Sequence, residues 1–209
     1  VDLPRSPPGE RRRRVLTLLL AAAAAGLPVL NEVCYDPAGA DAGGEYVEFH
    51  HGGPDTVSLV GARLEFANGA EGVVWRTQWT GGPGARLLPG GFFLVADEGW
   101  CGAATPAALA DLSLQNGPDA VRLVLPGGLI DLLGYGALAE PQLSEGAPAP
   151  NATGGKVLAR RPDGRDSDDN ATDFVVSDPS PGAANFPGID LQILHLDVEP
   201  PSLVTPGEE

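Results

Sequence analysis

The sequence predicts an all-β protein, a sandwich of antiparallel sheets over residues 28–186. Its apolar residues fall in short runs, and many of its 29 glycines and 21 prolines lie between those runs, which is typical of turns between strands. About eight such runs follow one another at the spacing of a sandwich or barrel. No stretch after residue 30 sustains the apolar repeat of an amphipathic helix.

The start of the chain has the layout of a secretory signal peptide. A basic block, Arg11–Arg14, precedes an apolar and alanine-rich run that ends near Leu30. That run is shorter than the ~20 residues that a membrane-spanning helix needs, so a signal peptide is favoured over an anchor. We therefore predict that residues 1–27 are a signal peptide, that the protein is secreted or located at the cell surface or in the periplasm, and that it has no membrane span.

The first half of the domain contains five predicted strands, at 29–35, 45–50, 57–66, 73–79 and 92–96. In the second of them polar and apolar residues alternate, which predicts that Tyr46, with Val47 or Phe49, faces a core while Glu45 and Glu48 are more exposed. In the third strand, the inward candidates are Leu59, Leu64 and Phe66.

The second half continues the same pattern. Residues 103–114 are consistent with either one helical turn or a loop. The runs 120–125 and 129–135 are joined by Pro126-Gly-Gly, which predicts a hairpin. Residues 141–153 form a loop rich in proline and alanine, and 156–161 and 173–177 are the last strands of the domain.

Residues 187–209 do not belong to this pattern. Phe186-Pro-Gly-Ile breaks it, and the alternating stretch from Asp190 to Val198 leads into a proline-rich end. Because a single strand is not stable alone, we predict a linker followed by the truncated start of a second β domain.

The charge of the chain is strongly acidic. The formal net charge is -15, and Lys156 is the only lysine. A surface of this sign repels phosphate backbones, so the composition argues against nucleic acid as a partner.

An acidic turn follows the strand at 156–161. Its oxygen-bearing residues suit calcium, which takes six to eight oxygen ligands; they are Asp163, Asp166, Asp168, Asp169, Asn170 and Asp173. An EF-hand loop counted from Asp166 fails, because Ala171 replaces the glycine at position six and Ser177 the glutamate at position twelve. The favoured interpretation is a structural turn whose side chains cap backbone N–H groups beside Arg160, Arg161 and Arg165, with a calcium site as the alternative.

Cys34 and Cys101 are the two cysteines of the chain. In an exported protein, such a pair favours a disulfide. It would close a loop of about 67 residues, which the loop-entropy account values at on the order of 3–4 kcal/mol.

No motif of the sequence indicates catalysis. There is no Gly-x-Ser-x-Gly elbow, and Gly81-Gly-Pro-Gly lacks the Lys-Ser/Thr of a phosphate loop. His50 and His51 are adjacent on a strand and point to opposite faces, which argues against a shared zinc ion. Trp75, Trp79 and Trp100 suit either a sugar-stacking surface or, as we favour, packing. We predict that the protein is not an enzyme.

Seven segments, taken in order, resemble the lamin-tail domain of bacterial secreted proteins. They are Leu30-Asn-Glu-Val, Gly44-Glu-Tyr-Val-Glu-Phe, Leu59-Val-Gly-Ala-Arg-Leu, Leu88-Pro-Gly-Gly-Phe-Phe-Leu-Val-Ala, Asp111-Leu-Ser-Leu-Gln-Asn-Gly-Pro-Asp-Ala-Val-Arg-Leu, Ile130-Asp-Leu-Leu-Gly-Tyr-Gly, and Asp166-Ser-Asp-Asp-Asn-Ala-Thr-Asp-Phe with Ser180-Pro-Gly-Ala-Ala-Asn. The resemblance implies an immunoglobulin-like β-sandwich without catalytic residues. It departs from the family at His50-His51, where an aromatic residue and an asparagine are usual. The stretch from Asp190 resembles the opening of a bacterial cell-adhesion-related β domain.

The resemblance and the composition together predict the function. We expect a non-catalytic extracellular interaction or spacer module of a modular secreted or surface bacterial protein. Its partners would be neighbouring domains of the same longer chain, or another protein or surface. The alternatives are an accessory domain of an extracellular hydrolase and a calcium-stabilised adhesion domain.

Overall fold

A computed structural model describes residues 26–39 and 41–187. The predicted signal peptide, except its last two residues, and the predicted second domain, except Pro187, lie outside the described residues. Within the described part, no helix is long and apolar enough to cross a membrane.

The described residues form twelve strands and one helical turn. In chain order they are β1 (Val29–Cys34), β2 (Tyr46–His50), β3 (Val57–Ser58), β4 (Arg63–Asn68), β5 (Arg76–Thr80), β6 (Arg86–Leu87), β7 (Phe92–Asp97), β8 (Ala108–Ala110), β9 (Asp119–Val124), β10 (Ile130–Tyr135), β11 (Val157–Arg160), α1 (Asn170–Asp173) and β12 (Phe174–Ser177). Two short 3-10 turns, Gly69–Glu71 and Pro141–Leu143, complete the elements. The all-β prediction is confirmed.

The strands form a sandwich of two sheets and a small ribbon. One sheet has six strands in the order β12-β11-β1-β2-β7-β8, and the other has four in the order β10-β9-β4-β5. All neighbours are antiparallel except β7 and β8, and β3 pairs with β6 in the ribbon. The predicted hairpin is β9–β10, in register from Ile130↔Val124 to Tyr135↔Asp119.

The main core lies between the two sheets, where alternate residues of each strand point inward. The predicted inward residues Leu59, Leu64 and Phe66 are all buried in it. Tyr35 and Tyr135 stack in the same core with ring centroids 4.4 Å apart and nearly parallel rings. Burial of these side chains is the main favourable contribution to folding.

Three strand predictions need correction. The run 57–66 is two strands, because the chain turns between them with the Ala62 amide bonded to the Leu59 carbonyl and Gly61 in the left-handed region at φ 79°. The strand predicted at 73–79 begins only at Arg76. The stretch 103–114 contains a strand, β8, rather than a helical turn.

The predicted exposure of Glu45 and Glu48 is wrong. Both side chains are buried, Glu48 completely. Glu48 lies on the outer face of the six-stranded sheet, and a second layer covers that face. The layer consists of the loop after β7, through Trp100 and Ala104, and of the segment 178–187, through Phe186. Alternation alone does not reveal such a cover, since it records only that successive side chains point to opposite faces.

Candidate functional site

An open groove of about 750 Å³ lies along one side of the sandwich. It is lined by Trp79 of β5 and Ala108 of β8, which are edge strands of the two different sheets. The loop Gly82-Pro83-Gly84 and the side chain of Leu88 complete its walls. The groove therefore runs where the edges of the two sheets leave the sandwich open.

The lining of this groove is aromatic and apolar. Its floor is Trp79 and Phe93, which pack against each other with ring centroids 5.4 Å apart, and Phe92 is half-buried beside them. Leu88 is 56% exposed at the rim, so its side chain is accessible to a ligand in the groove. Arg86 is the one ionisable residue among the lining residues, although the chain carries a net charge of -15.

A pair of buried glutamates lies on the outer face of the six-stranded sheet. Glu32 of β1 and Glu48 of β2 are directly opposite each other in the strand register, and both have 0% exposure. The segment 178–187 covers them. The Ser180 amide and hydroxyl donate to Glu32 at 2.9 and 2.5 Å, and the Gly182 amide donates to Glu48 at 2.6 Å.

Burial raises the pKa of both glutamates. For Glu48, desolvation raises the pKa to about 8, with a further contribution from the negative charge of Glu32. For Glu32, desolvation also raises the pKa, but hydrogen bonds from Ser180 and Tyr46 oppose it. Burial therefore favours the protonated form of Glu48.

The six residues of the acidic turn are engaged with different partners. Asp163 accepts from the Asn31 side chain and the Asn185 amide, Asp166 accepts from the Asp168 amide, and Asp169 accepts from the Thr172 amide as the N-cap of α1. Asp168 is exposed in the left-handed region at φ 57°. One oxygen of each of Asp163, Asp166 and Asp169 thus accepts from a backbone or side-chain donor of the surrounding protein.

Asn170 and Asp173 are the two buried members of the acidic turn. Asn170 accepts from the amides of Gly134 and Glu145 and donates to the Leu132 carbonyl. Asp173 accepts from the Ser167 amide and hydroxyl and lies 3.3 Å from the Arg160 guanidinium. These contacts join the turn to β10 and β11.

Carboxylate oxygens of Asp131, Glu145 and Asp166 come within 4.8 Å of one another. Only Asp166 belongs to the predicted calcium ligands. The Arg160 guanidinium contacts Asp131 at 2.9 Å and Asp166 at 3.5 Å, which gives this group one compensating positive charge. Calcium binding by the acidic turn stays a prediction, and its test is a shift of the unfolding midpoint between calcium and chelator.

Cys34 and Cys101 are both free thiols that line one cavity of about 240 Å³. Cys34 is buried, and burial raises the pKa of its thiol to about 12. Cys101 is exposed, with its sulfur 3.3 Å from the Gly43 carbonyl. The disulfide between them stays a prediction, which the mass of the non-reduced protein checks.

The three tryptophans have separate surroundings. Trp79 lies in the main core and on the groove floor, Trp75 stacks against Arg122 at 4.0 Å, and Trp100 packs edge-on against Tyr46. They do not line one common surface: the groove contains Trp79 and the cysteine cavity contains Trp100.

Sequence reasoning missed Glu32 and Glu48 as a pair, and it missed the groove. One signal was present for the pair, since Asn31 and Glu32 interrupt an otherwise apolar strand. The groove left no signal, because its residues are supplied by β5, β6, β7, β8 and the connections on either side of β6.

The fold and these sites define the class of the protein as an all-β sandwich with an open side groove. No model of a known protein family matches the chain, and a search of curated proteins finds no similar sequence.

Proposed function

We propose that residues 28–186 are a non-catalytic extracellular interaction module of the lamin-tail type, with an immunoglobulin-like arrangement of strands, in a modular secreted or surface protein of a bacterium. The motivation from the sequence is the signal-like start and the ordered segments that resemble that family. The observation that carries the proposal is the side groove, with its aromatic floor and its one ionisable residue.

The chemistry of the groove suits binding rather than reaction. A volume of about 750 Å³ lies in the ~300–1,000 Å³ range of ligand sites. General acid–base or nucleophilic catalysis needs a titratable or nucleophilic side chain within reach of the substrate. A guanidinium offers a planar fork of N–H donors and no acceptor, so Arg86 serves to bind an anion.

The proposed occupant is an extended peptide segment with an apolar side chain close to a carboxylate. The apolar side chain would pack between Leu88 and Phe92, and the carboxylate would pair with the Arg86 guanidinium. The flanking edge strand β8 offers main-chain groups for strand addition, as in other proteins that bind extended peptides. A second copy of this chain is disfavoured, because the net charge of -15 makes two copies repel each other.

The test is a selection from a random peptide library displayed on phage, with the purified full chain as bait. We expect the enriched peptides to share an apolar residue beside Asp or Glu. The double variant Arg86→Glu/Leu88→Ser should bind them at least about tenfold more weakly, because it reverses the only charge of the groove and removes an apolar contact.

The matched control is Arg76→Glu/Leu129→Ser, which changes an exposed arginine and a leucine of similar exposure (52%) away from the groove. This control should bind the selected peptides like the wild type. The groove proposal fails if no peptide is enriched, or if the selected peptides bind the groove variant and the wild type equally well. Replacement of the peptide's Asp by Asn should lower affinity for the wild type more than for Arg86→Glu.

A further inference from the structure

The glutamate pair occupies an unusual row across the six-stranded sheet. The register places Ala159, Glu32, Glu48 and Leu94 side by side on four neighbouring strands. Like charges directly opposite on adjacent strands destabilise a sheet, and here both are also buried. Neither glutamate forms an ion pair in the described part of the chain.

The groups around Glu48 contribute no balancing positive charge in the described residues. Those facing it are Glu32 on β1, Tyr46 and His50 on β2, and Asp163 on the loop after β11. The strand β7 contributes Leu94, and residues 179–187 of the cover contain no ionisable side chain. Arg161, which follows β11, is exposed and stacks on Phe186 instead.

The hydrogen bonds assign different roles to the two carboxyl groups. Glu32 accepts from the Ser180 amide, from the Ser180 hydroxyl and from the Tyr46 hydroxyl, which suits an ionised carboxylate. Glu48 accepts from the Gly182 amide at Oε2, and the neighbouring Asn31 side chain also favours its charged form, while Oε1 is buried without a hydrogen-bond partner. A buried carboxylate oxygen without a donor is costly when ionised, and a proton on that oxygen removes the charge.

We propose that Glu48 holds a proton which closes segment 178–187 over the sheet, so that the segment is a pH-dependent clasp at the point where the chain leaves the sandwich. While the proton is present, Ser180 and Gly182 bind one carboxylate and one neutral carboxylic acid. Loss of the proton places two adjacent negative charges under the cover. Opening of the segment then gives both carboxylates access to water.

The contacts of segment 178–187 suit it to open locally while the rest of the domain stays folded. Beyond the bonds to the two glutamates, its buried contacts with the sheet are those of the Asn185 side chain to the carbonyls of Asn31 and Arg160 and the packing of Phe186. The Asn185 amide also donates to Asp163, and Asp178 forms an exposed ion pair with Lys156. Gly182 has φ 81°, a conformation that favours glycine and directs its amide to Glu48. Segments with few buried contacts open locally at lower free energy than the core.

Hydrogen exchange of the full chain tests the clasp. The readout is the protection factor, the ratio of intrinsic to measured exchange rate, which removes the ordinary rise of exchange with pH. If Glu48 regains an ordinary pKa on opening, the opening constant of segment 178–187 should rise by about 50-fold between pH 6 and pH 8. Peptides from β4 and β5, which carry no carboxyl group with a raised pKa, should lose protection only by as much as the free energy of global unfolding falls over the same pH range.

The variant Glu48→Gln mimics the protonated side chain, since its amide retains an acceptor for Gly182 and places N–H donors where the acid carries its proton. Its segment should keep nearly the same protection at both pH values. Glu145→Gln is the matched control, because burial likewise raises the pKa of Glu145 to about 8 but the residue contacts β10 and not the clasp. This control should retain the wild-type loss of protection.

Three results would overturn the clasp. The first is that the protection factor of wild-type 178–187 does not fall as pH rises, and the second is that it falls equally in Glu48→Gln. The third is that added calcium prevents the fall and a chelator brings it back. The last would mean that a metal ion, not a proton, neutralises the pair.

Carbon-13 NMR of the wild-type Glu48 carboxyl gives an independent measure if Glu48→Gln folds poorly. A titration midpoint near the ordinary value of ~4.3 would refute the proposal.

Discussion

At the scale of single residues, Arg160 is the polar connection between the two sheets. Its side chain has 0% exposure and donates to the Leu30 carbonyl at 2.6 Å, while Asp131 of the opposite sheet accepts from it at 2.9 Å. Asp131 also accepts from the Leu30 amide, and Phe174 lies under the guanidinium at 4.5 Å. A buried arginine is tolerated here because its N–H groups have acceptors.

Replacement of Arg160 by alanine should therefore be severely destabilising. It leaves the buried carboxylates of Asp131 and Asp173 without their cation, and breaking a buried pair in this way costs about 3–5 kcal/mol. Urea unfolding measures the loss. Arg160→Lys should recover only part of it, because one ammonium does not reach the same set of acceptors.

The matched control is Arg76→Ala, which removes the exposed ion pair with Glu71. Exposed pairs contribute about 0–1 kcal/mol. Equal losses of stability in Arg160→Ala and Arg76→Ala would contradict the assigned role of Arg160.

At the scale of elements, α1 positions a single asparagine that holds the loop after β10 in place. The turn is capped by Asp169, and it inserts Asn170 between β10 and the Ser144 hydroxyl and Glu145 amide of the following loop. The side-chain oxygen accepts three hydrogen bonds, and the side-chain nitrogen donates to Leu132. The helix is too short to be stable alone, so these contacts with β10 and its loop hold it in place.

Asn170→Ala should lower the free energy of unfolding by about 2–4 kcal/mol. The change leaves the amides of Gly134 and Glu145 without this acceptor, at about 1–3 kcal/mol for each buried donor that stays unpaired. Denaturant unfolding measures the effect. Asp169→Ala in the same turn removes only the helix cap, which is worth about 1 kcal/mol. Comparing the two variants therefore separates the effect of the cap from that of the buried Asn170 side chain. A larger loss in Asp169→Ala than in Asn170→Ala would refute this account.

At the scale of the whole molecule, the buried carboxyl groups outnumber the buried bases. The pKa of Asp131 is raised to about 6, that of Glu45 to about 7, and those of Glu48 and Glu145 to about 8, in each case chiefly by burial. Between about pH 4 and pH 8, the folded protein therefore keeps protons on these carboxyl groups that the unfolded chain, with ordinary pKa values near 4, has lost. The stability from these protons is complete below about pH 4 and is lost as pH rises towards 8.

We therefore expect the free energy of unfolding to fall by at least ~2 kcal/mol between pH 5 and pH 8, since one unit of pKa shift corresponds to ~1.4 kcal/mol. The free energy of unfolding should be measured at each pH with urea, because guanidinium chloride is a salt and would itself screen the charges. The double variant Glu48→Gln/Glu145→Gln should flatten the dependence. Repeating the series in 0.5 M salt screens the repulsion due to the net charge of -15, so a fall that disappears in salt would assign the effect to net charge instead.

Local pattern determined much of the fold. Runs of β-formers between glycine and proline predicted most of the strands and the β9–β10 hairpin, because alternation and turn chemistry act over a few residues. The inward side of Leu64 and Phe66 followed from the same short-range rule. The strand at 57–66 was misjudged because its turn at Gly61 interrupts an apolar run.

The sequence by itself thus determined the all-β class, the positions of most strands and the strong negative charge. Only the tertiary structure decided which polar residues are buried, because burial depends on what covers a face. Ser180 and Glu32 are 148 residues apart in the chain, and Leu30 and Asp131 are 101 apart. Alternation predicted that Glu48 is exposed. In the structure Glu48 is buried, because segment 178–187, at the far end of the domain in sequence, covers it. The groove has the same origin, since its walls meet only when two sheet edges come together.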